Sequence, residues 1–137
     1  MAKHRRSRFP LPATVRRCLL LMLLALFVYW GNTDLKTDSV TYSSPALPAA
    51  FDGLRIVQLS DLHSKTFGKD NARLYQAVED AAPDLIFLTG DLVDEYAETP
   101  VPYARSVGAA LSTIAPTYYV TGNHEWAHGN AVVEELK

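Results

Sequence analysis

Three short stretches hold the side chains best suited to binding a divalent cation. Asp61 and His63 stand one residue apart in SDLH, Asp91 and Asp94 follow Gly90 in GDLVD, and Asn123 and His124 follow Gly122 in GNHE. Carboxylate and amide oxygens are hard donors and imidazole a borderline one, so the mixed set suits manganese, iron or zinc better than calcium. A carboxylate can bridge two cations about 3.5–4 Å apart, and Asp91 is the candidate for that position. Asp94 is less obviously within ligand reach and could instead orient a histidine. Asn123 offers a neutral amide oxygen. His124 could donate a proton to a leaving oxygen or stabilise developing negative charge, and both readings stand. Each stretch alone is modest, because D-x-H pairs and acidic turns are common. His128 reads as surface, and His4 lies in a basic tail remote from any chemistry.

The elements that carry these stretches bring all three to one place. Each stretch closes an apolar run: Leu54 to Leu59, Leu85 to Thr89, and Thr117 to Thr121. These runs are rich in aliphatic, β-branched and aromatic residues and suit buried strands. If Asp61 and His63 continue an extended strand, side chains two apart point the same way, so one cation could take both. Between the runs, Leu74, Ala77, Val78 and Ala81 share one face of a helix over Asn71 to Ala82, which Pro83 ends. Ala104, Val107, Leu111 and Ile114 do the same for a second helix, which Thr99 can cap with Pro100 at its first position. A last helix begins near Asn130. The order is therefore β-α-β-α-β with short connections, an α/β class with a parallel sheet. In such sheets ligands bind beyond the carboxyl ends of the strands, where all three stretches fall.

The remaining sequence divides by charge. Six of the 13 basic residues (Lys3, Arg5, Arg6, Arg8, Arg16, Arg17) precede the apolar run Cys18 to Trp30, and all 15 acidic residues follow it. Residues 1–17 read as a basic cytoplasmic tail and 18–30 as an uncleaved signal anchor, favoured over a cleaved signal. Residues 31–50 read as a linker with a short edge strand at Val40 and Tyr42, and 51–137 as an incomplete domain that carries the three polar stretches. Thirteen residues at about 1.5 Å each cover only about 20 Å of a hydrocarbon core near 30 Å, so flanking arginines and Tyr29–Trp30 would have to extend the span. Basic residues mark the cytoplasmic side, which puts the acidic body outside the cytoplasm as a single-pass membrane protein. That acidity argues against nucleic acid as a partner. The single cysteine, Cys18, excludes an intramolecular disulfide.

Taken in order, D-x-H, GD-x-x-D and GNH-[DE] resemble the calcineurin-like metallophosphoesterase superfamily, over roughly Ala50 to His128. LPAAFDGLRIVQLSDLH, PDLIFLTGDLVD and VTGNHE look most like its membrane-anchored bacterial phosphohydrolases. The resemblance implies an α/β sandwich of which this chain carries the first, β-α-β-α-β half. It implies two divalent cations, with manganese, iron or zinc favoured by the mixed oxygen and nitrogen donors. Asp61 and His63 would bind the first cation, Asp91 would bridge both, and Asn123 would bind the second. His124, held by Asp94, would contact the scissile phosphate or protonate the leaving group. The implied activity is hydrolysis of a phosphomonoester, phosphodiester or pyrophosphate by a hydroxide that the two cations activate. The substrate would be small or lipid-linked, met at the membrane surface. The family's later histidines, including a G-H-x-H motif, have no match after Glu125. The expectation is therefore the N-terminal half of a longer enzyme, with a non-catalytic membrane-tethered remnant, or a site completed by another chain, as the alternatives.

Overall fold

The computed structural model describes residues 11–136, so residues 1–10 of the basic tail lie outside the described residues. The chain divides into two compact units, one up to Asp34 and one from Leu35 onward.

Among the described residues of the first unit there is one helix, α1 (Ala13–Thr33), which begins directly after Pro12. Proline has no N–H to donate, and its fixed φ suits the residue before a first turn. The helix is longer than the apolar run because Arg16 and Arg17 are helical rather than flanking. Its apolar window, Ala13–Gly31, is 19 residues with a mean hydropathy of 1.7. At about 1.5 Å per residue this spans roughly 28 Å, so by length and composition α1 is long and apolar enough to cross a membrane, with Arg16 and Arg17 inside the span.

The second unit is built on three strands, β1 (Ile56–Leu59), β2 (Leu85–Thr89) and β3 (Thr117–Val120). They pair in parallel in the order β1-β2-β3, with Val57 opposite Ile86 and Leu88 opposite Tyr119. The connections are α2 (Ala72–Ala81) and α3 (Pro100–Ser112), and the chain continues through α4 (Asn123–Ala127) and α5 (Asn130–Glu135). A strand order that advances one way with same-handed crossovers puts both connecting helices on one face. The core sits there: Leu74 and Val78 of α2 and Ala104, Val107 and Leu111 of α3 close over Ile86 and Leu88, with Leu62, Leu92 and Val93 from the strand-end loops. The expected helix faces are thus the buried ones. Thr99 is the N-cap of α3 with Pro100 next, but its side chain makes no capping hydrogen bond.

The opposite face of the sheet is open. Ile56 is 51%, Tyr118 57% and Val120 65% exposed, and the Phe87 ring lies tilted by 41° against Tyr118 with centroids 5.8 Å apart. Parallel sheets are normally covered on both faces. This one matches half of a sandwich. The short edge strand expected at Val40 and Tyr42 is not formed: residues 35–44 carry no strand, and both side chains are largely exposed. Alternation supplies a face, but a strand also needs a ladder partner, and β1 pairs with β2 alone among the described residues.

Candidate metal centre

All three polar stretches lie at the carboxyl ends of the strands, but none is strand. Asp61 (φ 58°), His63 (φ 47°) and Asp91 (φ 51°) all occupy the left-handed region, as does Gly90 (φ 94°). Non-glycine residues are uncommon there and are held by their surroundings. The expectation that Asp61 and His63 share a face of an extended strand is therefore corrected: β1 stops at Leu59 and the chain turns. The pair still meets, with His63 Nε2 at 3.7 Å from Asp61 Oδ1. Ser60 Oγ donates to the other Asp61 oxygen.

Hydrogen bonds between the loops explain the backbone. The N–H groups of Asp61, His63 and Ser64 donate to the carbonyls of Gly90, Asp91 and Leu92, so the first loop is hydrogen-bonded along the second. Ser64 Oγ accepts the N–H of Asp94 at 3.0 Å. The third loop meets the second through two glycines. A Cβ on Gly90 would come within 2.9 Å of the Gly122 Cα, and a Cβ on Gly122 would overlap the Asp91 carboxylate. Both positions thus need glycine because two backbones and a carboxylate share one small space.

GNHE starts α4, with Gly122 at its N-cap. Asp91 Oδ1 accepts the N–H of His124 at 3.0 Å, which seats the carboxylate against the first turn. The His124 ring lies edge-on to His63 with centroids 4.4 Å apart. His63, Asp91 and His124 each offer one donor atom, all within 4.8 Å of one another. Asp61 borders this cluster through His63, with a largely exposed side chain, and Asn123 is exposed at the first residue of α4.

Asp94 does not hold His124. Its Oδ1 accepts the N–H of Tyr96 at 2.9 Å, while His124 Nδ1 accepts the N–H of Glu95 at 3.0 Å. An Asx-type turn within the loop has taken the carboxylate, and backbone has replaced it at the imidazole. His128 is not a surface residue either. It is half-buried, with Nε2 at 2.8 Å from the Asp94 carbonyl oxygen.

Glu125 had no assigned role in the sequence, yet it is fully buried. Its carboxylate accepts the N–H groups of Asp91 and Val93, each at 3.0 Å, and of Gly122 at 2.6 Å. Burial alone would raise its pKa. The N–H groups of Val93 and Gly122, the Tyr119 hydroxyl and the Asp91 N–H outweigh burial and hold the carboxyl below the ordinary carboxylate range. The Tyr119 hydroxyl is pushed the other way, first by burial and then by the charge of Glu125, and stays protonated. The available signal was spacing: a glutamate three residues after a helix N-cap can reach back to the capping residue's N–H.

Two imidazoles and a carboxylate suit a borderline divalent cation such as manganese, iron or zinc. Residues 54–135 match the family model described as calcineurin-like phosphoesterase. The chain is 32% identical over 124 residues to an uncharacterized metallophosphoesterase of Campylobacter jejuni, covering 87% of this chain and 33% of that protein. It is 29% identical over 110 residues to one of Bacillus subtilis, covering 74% of this chain and 37% of that protein. Similarity to a Danio rerio transmembrane protein with metallophosphoesterase domain is 31% over 117 residues, covering 79% of this chain and 26% of that protein. The chain thus spans about a third of the length of these curated relatives. No solved structure matches it.

Proposed function

Because this chain belongs to the calcineurin-like phosphoesterase family, we propose that its strand-end loops form the metal site of a phosphoester hydrolase. The observation that carries this reading is the convergence of His63, Asp91 and His124 donor atoms within 4.8 Å of one another, with His63 and Asp91 as the proposed ligands and His124 facing the same space. His63 and Asp61 would hold one cation, and Asp91 would share it. One Asp91 oxygen already accepts the His124 N–H, which leaves Oδ2 free of that bond and available to a cation. Asn123 would take part in a second site with Asp91. When bound, such cations supply Lewis-acid polarisation of a phosphoryl oxygen and lower the pKa of water.

The role of His124 follows from its hydrogen bond. Nδ1 accepts a backbone N–H, so the neutral ring carries its proton on Nε2. That arrangement favours hydrogen-bond stabilisation of a phosphoryl oxygen over outright proton donation, because protonating Nδ1 would break the bond to Glu95. Asp94 acts one step removed: it closes the turn that presents the Glu95 N–H. The membrane reading rests on α1 and on the basic residues before it, which would anchor the site on the extracytoplasmic side. The substrate would then be a phosphoester met at a membrane surface, small or lipid-linked.

The test is hydrolysis of bis(p-nitrophenyl) phosphate with Mn²⁺ in the longest native form of the protein. Asp91→Asn should abolish turnover, and unchanged turnover would refute the assignment. His124→Ala should cut turnover with metal content nearly intact. Loss of the metal instead would make His124 a ligand.

A further inference from the structure

Glu125 combines full burial with no cationic partner among the described residues. Buried carboxylates are rare, and an unpaired one is retained only where hydrogen bonds satisfy it. Here the partners are three backbone N–H groups, drawn from two different loops. Oε2 takes Asp91 and Gly122, and Oε1 takes Val93. Asp91 and Val93 belong to the loop after β2, and Gly122 to the loop after β3. The carboxylate therefore fastens together the two segments that carry Asp91 on one side and Asn123 and His124 on the other.

The bond to the Asp91 N–H has a particular consequence. Asp91 sits in the left-handed region at φ 51°, a conformation that a non-glycine residue leaves unless it is held. Glu125 holds its N–H, while its carbonyl accepts from His63. The Asp91 side chain is then aimed at Gly122 and accepts from His124. Orientation of the proposed ligand thus depends on a glutamate that takes no part in the donor cluster.

Resting on the metal-site reading above, we infer that Glu125 is a positioning residue that sets cation affinity through Asp91. The groups around a ligand that fix its orientation typically change metal affinity about 10–100-fold when removed. Glutamine at this position has one acceptor oxygen and an amide that faces N–H donors, so it cannot make all three bonds. Aspartate keeps both oxygens but is one methylene shorter.

The experiment is calorimetric titration of the full 137-residue chain in detergent micelles with Mn²⁺ alone. Urea unfolding of each variant gives the folded fraction, so affinity is read per folded molecule. Glu125→Gln should weaken Mn²⁺ binding by at least about tenfold, and Glu125→Asp should recover part of the loss. A merely structural glutamate would lower the unfolding midpoint of both variants and leave the affinity of the folded fraction unchanged, which would overturn the inference. Should Glu125→Gln not fold, amide hydrogen exchange in the unaltered chain tests the same contacts. The Asp91, Val93 and Gly122 amides should be protected far beyond neighbouring loop amides, and exchange at the rate of exposed loop amides would overturn it. Failure of the unaltered chain to bind Mn²⁺ would overturn the metal-site reading itself, whereas binding that Asp91→Asn abolishes and Glu125→Gln spares would overturn only the role of Glu125.

Discussion

Replacing Gly122 with alanine isolates the packing that builds the site. Gly122 has φ −98° and ψ −170°, which alanine adopts without strain, so the effect is steric alone. The added Cβ would lie at 2.6 Å from the Asp91 backbone nitrogen, and its carboxylate would have to retreat by about 1 Å to reach ordinary contact. Overpacking of this kind costs about 1–3 kcal/mol. The displaced carboxylate also loses its charge-assisted bond to the His124 N–H, worth up to about 1.5–3 kcal/mol. With partial relaxation we expect destabilisation of about 3 kcal/mol, or a fall of about 2 M in urea midpoint at a slope near 1.5 kcal/mol/M. Gly108→Ala is the matched control. It lies inside α3 with nothing within 4 Å of its Cβ position, so it should stabilise by about 0.5–1 kcal/mol. Urea unfolding followed by circular dichroism reads both. A Gly122→Ala midpoint within error of the parent would refute the placement of Asp91 against Gly122.

Further outcomes follow from the same geometry. Chelation with EDTA should abolish phosphodiester hydrolysis in the longest native form, and Mn²⁺ should restore it. Glu125 has a folded-state pKa below its ordinary 4.5, so the unfolded chain binds more protons as pH falls through that value. Its stabilisation is therefore present above about pH 4.5 and lost as pH falls toward the folded pKa, and Glu125→Gln should flatten that part of a stability–pH curve. Ile56→Lys, on the open sheet face, should change stability by no more than about 0.5 kcal/mol while lowering binding of a hydrophobic dye.

The strands and both connecting helices were legible because their apolar spacing is local: Leu74 and Val78, or Val107 and Leu111, mark a buried face in any context. The strand ends were legible because glycine and aspartate follow apolar runs abruptly. Left-handed geometry at Asp61, His63 and Asp91 was not, because groups distant in sequence impose it: the Gly90 and Asp91 carbonyls at Asp61 and His63, and the Glu125 carboxylate at Asp91. The same holds for His124, where the Glu95 N–H rather than the Asp94 carboxylate holds the ring. Val40 and Tyr42 show the converse: a sound local pattern forms no strand where, among the described residues, no partner strand pairs with it. Glu125 was overlooked because most of its partners are backbone N–H groups from other loops, and its one sequence signal, the spacing from Gly122, was not used.

The most direct test of the metal centre is pulsed electron paramagnetic resonance of the Mn²⁺-loaded chain. If His63 and Asp91 ligate, the spectrum shows coupling to an imidazole nitrogen that His63→Ala removes, and Asp91→Asn prevents loading. Mn²⁺ bound without nitrogen coupling, or coupling that persists in His63→Ala, would contradict the site as described.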